Sequence, residues 1–113
     1  MQLAELTRFV DDVEAAVAFY RTVLDAEPVS EWPGGAVFDL GGPTLLVHET
    51  YEPGPDDLPP VDHVSFAVDD VDAAADQLAD PGLELEREPA EYDWGRSAYL
   101  RDPAGNQVEL MEA

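Results

Sequence analysis

The sequence contains no cysteine, which excludes disulfide bonds, thiolate metal sites and a cysteine nucleophile. It has no apolar run long enough to cross a membrane, and its N-terminus lacks the charged-then-apolar layout of a secretory signal. We therefore expect a soluble, cytoplasmic protein without a membrane partner. A chain of 113 residues has the length of one domain with its own hydrophobic core.

Basic residues are scarce, and lysine is absent. Five arginines stand against 26 acidic residues, which gives a formal net charge of −21. A phosphate backbone would repel such a chain, so nucleic-acid binding is disfavoured. Disorder is also disfavoured, because 45% of the residues are hydrophobic. The even spread of acids favours a halophilic protein from a salt-rich cytoplasm, and the alternative is an acidic surface that attracts a basic partner.

One phrase occurs twice in the sequence. The segment FVDDVEAAVAFY begins at Phe9, and AVDDVDAAADQL begins at Ala67. Asp11 aligns with Asp69 at an offset of 58 (69 − 11). Each copy follows a run that alternates like a strand, and each opens an amphipathic pattern typical of a helix that packs on a sheet. Asp12 and Asp70 are the predicted N-caps.

Three short strand candidates follow each predicted helix, with turns at PGG, GGP and DPAGN. The proline-rich stretch YEPGPDDLPP, residues 51–60, reads as a linker. The predicted fold class is therefore α+β, a single domain 1–113 of two βαβββ modules, 1–50 and 61–113. We expect a curved, half-open, eight-stranded mixed sheet around a cleft, with the helices on the outside. A homodimer with twofold symmetry is expected for such a chain.

The offset of 58 superimposes Glu5 on His63. Both residues lie in predicted strands, and period-two alternation places polar side chains on one face and apolar side chains on the face that meets the helix. In the last strands, His48 aligns with Glu109 at an offset of 61 (109 − 48).

Two histidines and two carboxylates at related positions suit a divalent ion such as Zn, Ni, Co, Mn or Fe. These are the only histidines in the chain. The alternative is structural, because 26 acids make a carboxylate at any position common, and a histidine often serves as a polar filler.

The stretches FVDDVEAAVAFYRTVLDAEP, DHVSFAVDDVDAAADQL and GRSAYLRDPAGNQVEL resemble the vicinal oxygen chelate superfamily. That superfamily includes glyoxalase I, fosfomycin- and bleomycin-resistance proteins, methylmalonyl-CoA epimerase and extradiol dioxygenases. The resemblance implies metal ligands at Glu5, His48, His63 and Glu109, which in the superfamily come from one chain or are shared between two. In the superfamily the first ligand is usually histidine and the second is glutamate or glutamine. This chain has Glu5 at the first position and His48 at the second, so the two residue types are exchanged. Some members have lost the metal and only bind ligands.

The resemblance implies a lyase or isomerase of the glyoxalase type, whose metal chelates two adjacent oxygens of a small substrate. Glu109, or alternatively Glu5, would then abstract a proton next to a carbonyl. A metal-free small-molecule-binding protein, similar to bleomycin-resistance proteins, is one alternative. An Fe or Mn dioxygenase that uses His48 and His63 with Glu109 is another.

Four residues are candidates for substrate binding. Arg96 could hold an anionic group, although a surface pairing with nearby acids explains it equally well. Tyr92 and Trp94 could cover a substrate or cap the core. Phe9 shares the predicted face of Glu5 and could wall the cleft.

Overall fold

The computed structural model describes residues 1–113, which form two helices and eight strands. In chain order these are β1 (Gln2–Val10), α1 (Val13–Leu24), β2 (Ser30–Trp32), β3 (Gly35–Asp39), β4 (Thr44–Glu49), β5 (His63–Val68), α2 (Val71–Ala79), β6 (Leu85–Tyr92), β7 (Gly95–Arg101) and β8 (Gln107–Glu112). The order is βαβββ twice, with parallel and antiparallel pairing, so the predicted α+β class is confirmed. None of the helices has the length and apolar character needed to span a bilayer.

The chain forms two compact units. The first unit is Glu5–Asp62, and the second is His63–Ala113 together with Met1–Ala4. The predicted module boundaries, 1–50 and 61–113, remain a prediction.

In the first unit, β1 pairs in parallel with β4, β4 pairs antiparallel with β3, and β3 pairs antiparallel with β2. Helix α1 begins at the cap Asp12, whose carboxylate accepts the backbone N–H of Ala15 at 3.0 Å. One stripe of α1 is buried against the alternate residues of β3 and β4 that point toward it. The buried residues of this core are Val17, Ala36, Phe38, Leu45 and Val47.

The second unit repeats this arrangement. Strand β5 pairs in parallel with β8, and β7 pairs antiparallel with both β8 and β6. Asp70 caps α2 by accepting the backbone N–H of Ala73 at 3.0 Å. The buried core under α2 contains Val68, Val71 and Ala98. Both predicted N-caps are therefore confirmed.

Candidate functional site

Glu109 is the most densely bonded polar residue of the second unit. It lies on β8 and is 4% exposed. Its Oε1 accepts a hydrogen bond from the Ser65 hydroxyl at 2.7 Å and lies 3.3 Å from Nε2 of His63. Strands β5 and β8 create this arrangement, because Ser65 pairs directly with Glu109 and His63 lies two residues away on the same face.

The second carboxylate oxygen of Glu109 has three donors. Its Oε2 accepts from the Ser97 hydroxyl at 2.8 Å, from the Tyr99 hydroxyl at 3.0 Å and from the Trp94 indole N–H at 3.1 Å. Glu109 therefore has five polar neighbours from the protein. A carboxylate has about four lone-pair sites, so these neighbours occupy its accepting capacity.

This environment fixes the charge of Glu109. Burial alone raises the pKa of a carboxyl group, but the hydrogen bonds from His63, Ser65, Ser97 and Tyr99 outweigh it, and the pKa of Glu109 is lowered. Burial, together with the negative charge of Glu109, raises the pKa of Tyr99, whose hydroxyl therefore remains a donor. Glu109 is thus a stabilised anion and a weak proton acceptor at neutral pH.

Aromatic side chains lie beside this carboxylate. The rings of Tyr92 and Trp94 are stacked, with centroids 4.7 Å apart and planes inclined by 4°. Tyr92 also meets Tyr99 edge-on at 5.8 Å, and the Tyr99 ring lies 6.4 Å from that of His63. Since Trp94 is 53% exposed while its N–H reaches Glu109, this stack covers the carboxylate and presents a ring surface to solvent.

The polar face of the first unit carries a second aromatic group. The Phe9 ring lies 5.5 Å from the His48 ring and 6.0 Å from the Tyr51 ring. Nδ1 of His48 donates to the carbonyl of Glu49 at 2.7 Å, which leaves Nε2 as the acceptor in the neutral ring. The Tyr51 hydroxyl donates to the carbonyl of Leu58 at 2.6 Å and so closes the predicted linker back on itself.

Glu5 and His48 do not lie side by side. Glu5 pairs with Thr44, whose hydroxyl donates to it at 3.0 Å, whereas His48 pairs with Phe9. Four residues along a strand separate the two positions by about 13 Å. This register gives no support to Glu5 and His48 as ligands of a single ion within one chain. Of the four predicted ligands, the structure brings His63 and Glu109 together and keeps Glu5 and His48 apart.

The strand register also corrects the alignment of the two repeats. In the second unit, Ser65 pairs with Glu109, and in the first unit its equivalent Thr7 (65 − 58 = 7) pairs with Leu46. The structural offset of the last strands is therefore 63 (109 − 46), and the offset of 61 that matched His48 to Glu109 is wrong. A slip of two residues keeps every side chain on its face, so alternation in the sequence could not reveal it.

Arg96 lies on the opposite face of β7 from Glu109. Because Ser97 faces Glu109, its neighbour Arg96 points toward α2, where its guanidinium binds Asp72 at 2.7 and 2.9 Å. A longer contact of 3.4 Å joins it to Glu91. The geometry therefore supports the surface pairing and gives no support to Arg96 as a substrate anchor on the face of Glu109.

One group of three acids has its carboxylate oxygens within 4.8 Å of one another, namely Asp70, Asp72 and Glu112. All three are exposed, and each has a structural partner. Asp70 caps α2, Asp72 binds Arg96, and Glu112 accepts the backbone N–H of Val71 at 3.2 Å. These contacts account for the group without an ion.

Sequence reasoning missed Ser97 and Tyr99 as partners of Glu109. The signal was present in the segment RSAYL, because alternation places these two residues on one face of β7. Tyr51 was missed because it follows β4 and was assigned to the linker.

Comparisons with known proteins agree with this architecture. Residues 2–110 match the family model described as the Glyoxalase/Bleomycin resistance protein/Dioxygenase superfamily. Similar curated proteins include the proposed glyoxylase CFP32 of Mycobacterium tuberculosis, 32% identical over 90% of this chain, and the cadmium-induced protein CadI of the same organism, 33% identical over 78%. The chain spans only 42% of the length of CFP32 and 59% of that of CadI.

Solved structures show the same fold. A structure described as an NAD-dependent benzaldehyde dehydrogenase from Legionella pneumophila has a TM-score of 0.77 at 22% identity and covers 96% of both chains. Methylmalonyl-CoA epimerase from Mycobacterium tuberculosis has a TM-score of 0.74 at 20% identity and covers 98% of this chain and 87% of its own. At these identities the likeness concerns the fold alone. The family match over nearly the whole chain confirms the resemblance: this chain belongs to the Glyoxalase/Bleomycin resistance protein/Dioxygenase superfamily, the vicinal oxygen chelate proteins.

Proposed function

We propose that this chain is a small-molecule-binding member of its superfamily that works without a resident metal. The observation that carries the proposal is the bonding of Glu109, whose two oxygens are occupied by five polar groups of the protein. An ion at Glu109 would have to displace some of these donors. The predicted four-ligand set fits poorly, because Glu5 and His48 are about 13 Å apart in register and Leu46 stands at the position equivalent to Glu109.

A binding function suits the polar face of each unit. Ligand sites are mostly apolar and aromatic, with a few polar groups that fix orientation. The second unit offers the stacked rings of Tyr92 and Trp94, and the first offers Phe9 and Tyr51 beside Nε2 of His48. Flat, partly apolar molecules with hydrogen-bonding edges match such surfaces.

We also propose that the protein is a homodimer in the cytoplasm. Light scattering of the purified chain tests the dimer.

A second candidate function is the metal-dependent lyase or isomerase, and the contact between His63 and Glu109 favours it. Their side chains are 10% and 5% exposed, and both are common ligands of divalent ions. In that function His63 and Glu109 would hold the ion, which would supply Lewis-acid chemistry. The hydroxyls of Ser65 and Ser97 would have to turn away from Glu109. No observation favours the dioxygenase, which remains a prediction.

Metal content separates the two functions. The protein is purified without chelator in molar KCl, analysed for transition metals, and titrated calorimetrically with Zn²⁺, Ni²⁺, Co²⁺, Mn²⁺ and Fe²⁺. We expect far less than one equivalent of metal, and the same weak titration for the wild type and for His63→Gln. One equivalent of bound metal that is lost in His63→Gln would instead establish the metal-dependent function.

Ligand binding is tested by fluorescence. The chain has two tryptophans, Trp32 and Trp94. In Trp32→Phe, Trp94 is the only reporter, and in Trp94→Phe only Trp32 remains. A screen of planar small molecules should yield ligands that change the fluorescence emission of Trp32→Phe. The change should saturate and fit one binding site per chain. If no molecule of the library gives a saturable change and the protein holds stoichiometric metal, the metal-dependent function replaces the metal-free one.

A further inference from the structure

Thr7 has the one buried side-chain polar atom without a hydrogen-bond partner. The residue is 2% exposed, and its Oγ1 makes no hydrogen bond. An unsatisfied buried hydroxyl costs about 1–3 kcal/mol, and such groups are rare in folded proteins. The position of Thr7 therefore calls for a physical explanation.

The second unit supplies that explanation. Ser65 is the repeat equivalent of Thr7, and its hydroxyl donates to Glu109 at 2.7 Å. Both hydroxyl residues occupy the same place in a parallel strand pair, Ser65 opposite Glu109 and Thr7 opposite Leu46. The first unit thus keeps the donor of this pair but has a leucine where the acceptor stands in the second.

Glu5, which precedes Thr7 on β1, occupies the position that His63 has in the second unit. Glu5 lies two residues before Thr7, as His63 lies two residues before Ser65. In the second unit this spacing brings the side chain of His63 to 3.3 Å from Glu109. The same register places a side chain at position 46 beside Glu5, within the first unit.

We propose that position 46 determines the specificity of the first polar face: Leu46 denies Thr7 an acceptor and brings no ligand atom of its own to the strand beside Glu5. A polar side chain there would restore the hydroxyl–acceptor pair, and a histidine would place imidazole and carboxylate together, as His63 and Glu109 are. The inference deepens the proposed metal-free function and rests on it, because it identifies the position at which the first unit lacks the carboxylate that the second unit has in Glu109.

The pairing between positions 7 and 46 is tested by whether Thr7→Val raises or lowers Tm in different backgrounds at position 46. In the wild type, Thr7→Val removes an unsatisfied hydroxyl at constant shape and should raise Tm by about 4 °C. In Leu46→Gln, whose amide oxygen can accept from Thr7, the same Thr7→Val change should lower Tm. Leu46→His serves as a second background, with Nδ1 or Nε2 as the acceptor. An equal effect of Thr7→Val in all three backgrounds would overturn the inference.

Cobalt binding tests the ligand role of position 46. Co²⁺ absorbance is titrated for the wild type, Leu46→His, the apolar control Leu46→Ile and the double variant Leu46→His/Glu5→Gln. We expect at least tenfold tighter binding in Leu46→His alone, and its loss in the double variant. Unchanged affinity in Leu46→His would refute the ligand role. Stoichiometric metal in the wild type would refute the metal-free function instead, and the sign of the Thr7→Val effect would still decide the pairing.

Discussion

The indole nitrogen of Trp94 donates a hydrogen bond to Oε2 of Glu109 across 3.1 Å. Trp94 lies in the turn between β6 and β7 and is 53% exposed, whereas Glu109 is 4% exposed. A surface ring and a buried anion are therefore directly coupled. A molecule that lies on Trp94 is separated from the charge of Glu109 by a single side chain.

Trp94→Phe should weaken folding modestly. The variant keeps a ring against Tyr92 but removes one of the donors to Glu109, which retains Ser97 and Tyr99 on the same oxygen. Loss of one hydrogen bond to a charged group predicts a fall of about 1–2 kcal/mol in the free energy of unfolding, measured by urea denaturation. Trp32→Phe is the matched control, and an equal loss in that variant would remove the special role of the Trp94 contact.

Glu109→Gln should destabilise the chain strongly at neutral pH. The amide nitrogen cannot accept, so at least two of the present donors lose their partner in a buried site. We expect a loss of about 3 kcal/mol in urea melts. Glu88→Gln, on an exposed position of β6, should change stability little. A Glu109→Gln protein as stable as Glu88→Gln would show that the hydrogen bonds contribute nothing net.

The cost of Glu109→Gln should depend on pH. The folded pKa of Glu109 lies below its ordinary value of 4.5, so its contribution is complete above that value and declines as pH falls through the folded pKa. The stability difference between wild type and variant should be constant from pH 7 to about 5 and shrink below 4. Thermal melts at half-unit intervals measure it. A difference that grows on acidification would mean that the folded pKa is raised.

Arg96→Ala should leave ligand binding unchanged. Its guanidinium binds Asp72 on the helix side of β7, where it also lowers the pKa of that carboxyl. Because the pair is exposed, we expect only a small decrease in Tm at low salt that disappears in molar KCl. Affinity is measured by Trp94 fluorescence in a Trp32→Phe background. A large loss of affinity would restore Arg96 as a substrate anchor.

Stability should rise with salt. A net charge of −21 on 113 residues repels itself in dilute buffer, and ions screen that repulsion. We expect Tm to increase from 50 mM to 2 M KCl and the urea midpoint to move in the same direction. Equal stability at both concentrations would argue against salt adaptation and would favour the acidic surface as a site for a basic partner.

Local patterns predicted the elements well. The repeated VDDV phrase correctly placed Asp12 and Asp70 at the helix starts, because an N-cap needs only a short acceptor side chain at the point where backbone donors are free. Alternation also correctly placed Leu6, Val10 and Val68 on the face that meets the core, since side-chain direction in a strand depends on parity alone.

The residue pairs across neighbouring strands were harder to predict from the sequence. Which residue of β4 faces Thr7 depends on how the strands slide past one another, and a slip of two preserves parity. The sequence offered His48 as the counterpart of Glu109, and the pairing of β1 with β4 gave Leu46. Likewise, the sequence predicted that Arg96 could pair with nearby acids, but only the packing of α2 on β7 identifies Asp72 as the partner.

The sequence by itself determined the class of the fold and the helix caps, because these follow from periodicity and local motifs. Its resemblance to the superfamily also identified His63 and Glu109 as candidate ligands. Tertiary structure alone decided the five contacts to Glu109, the isolation of the Thr7 hydroxyl and the separation of Glu5 from His48. These depend on strand register and side-chain packing between segments distant in the chain, which local residue preferences do not encode.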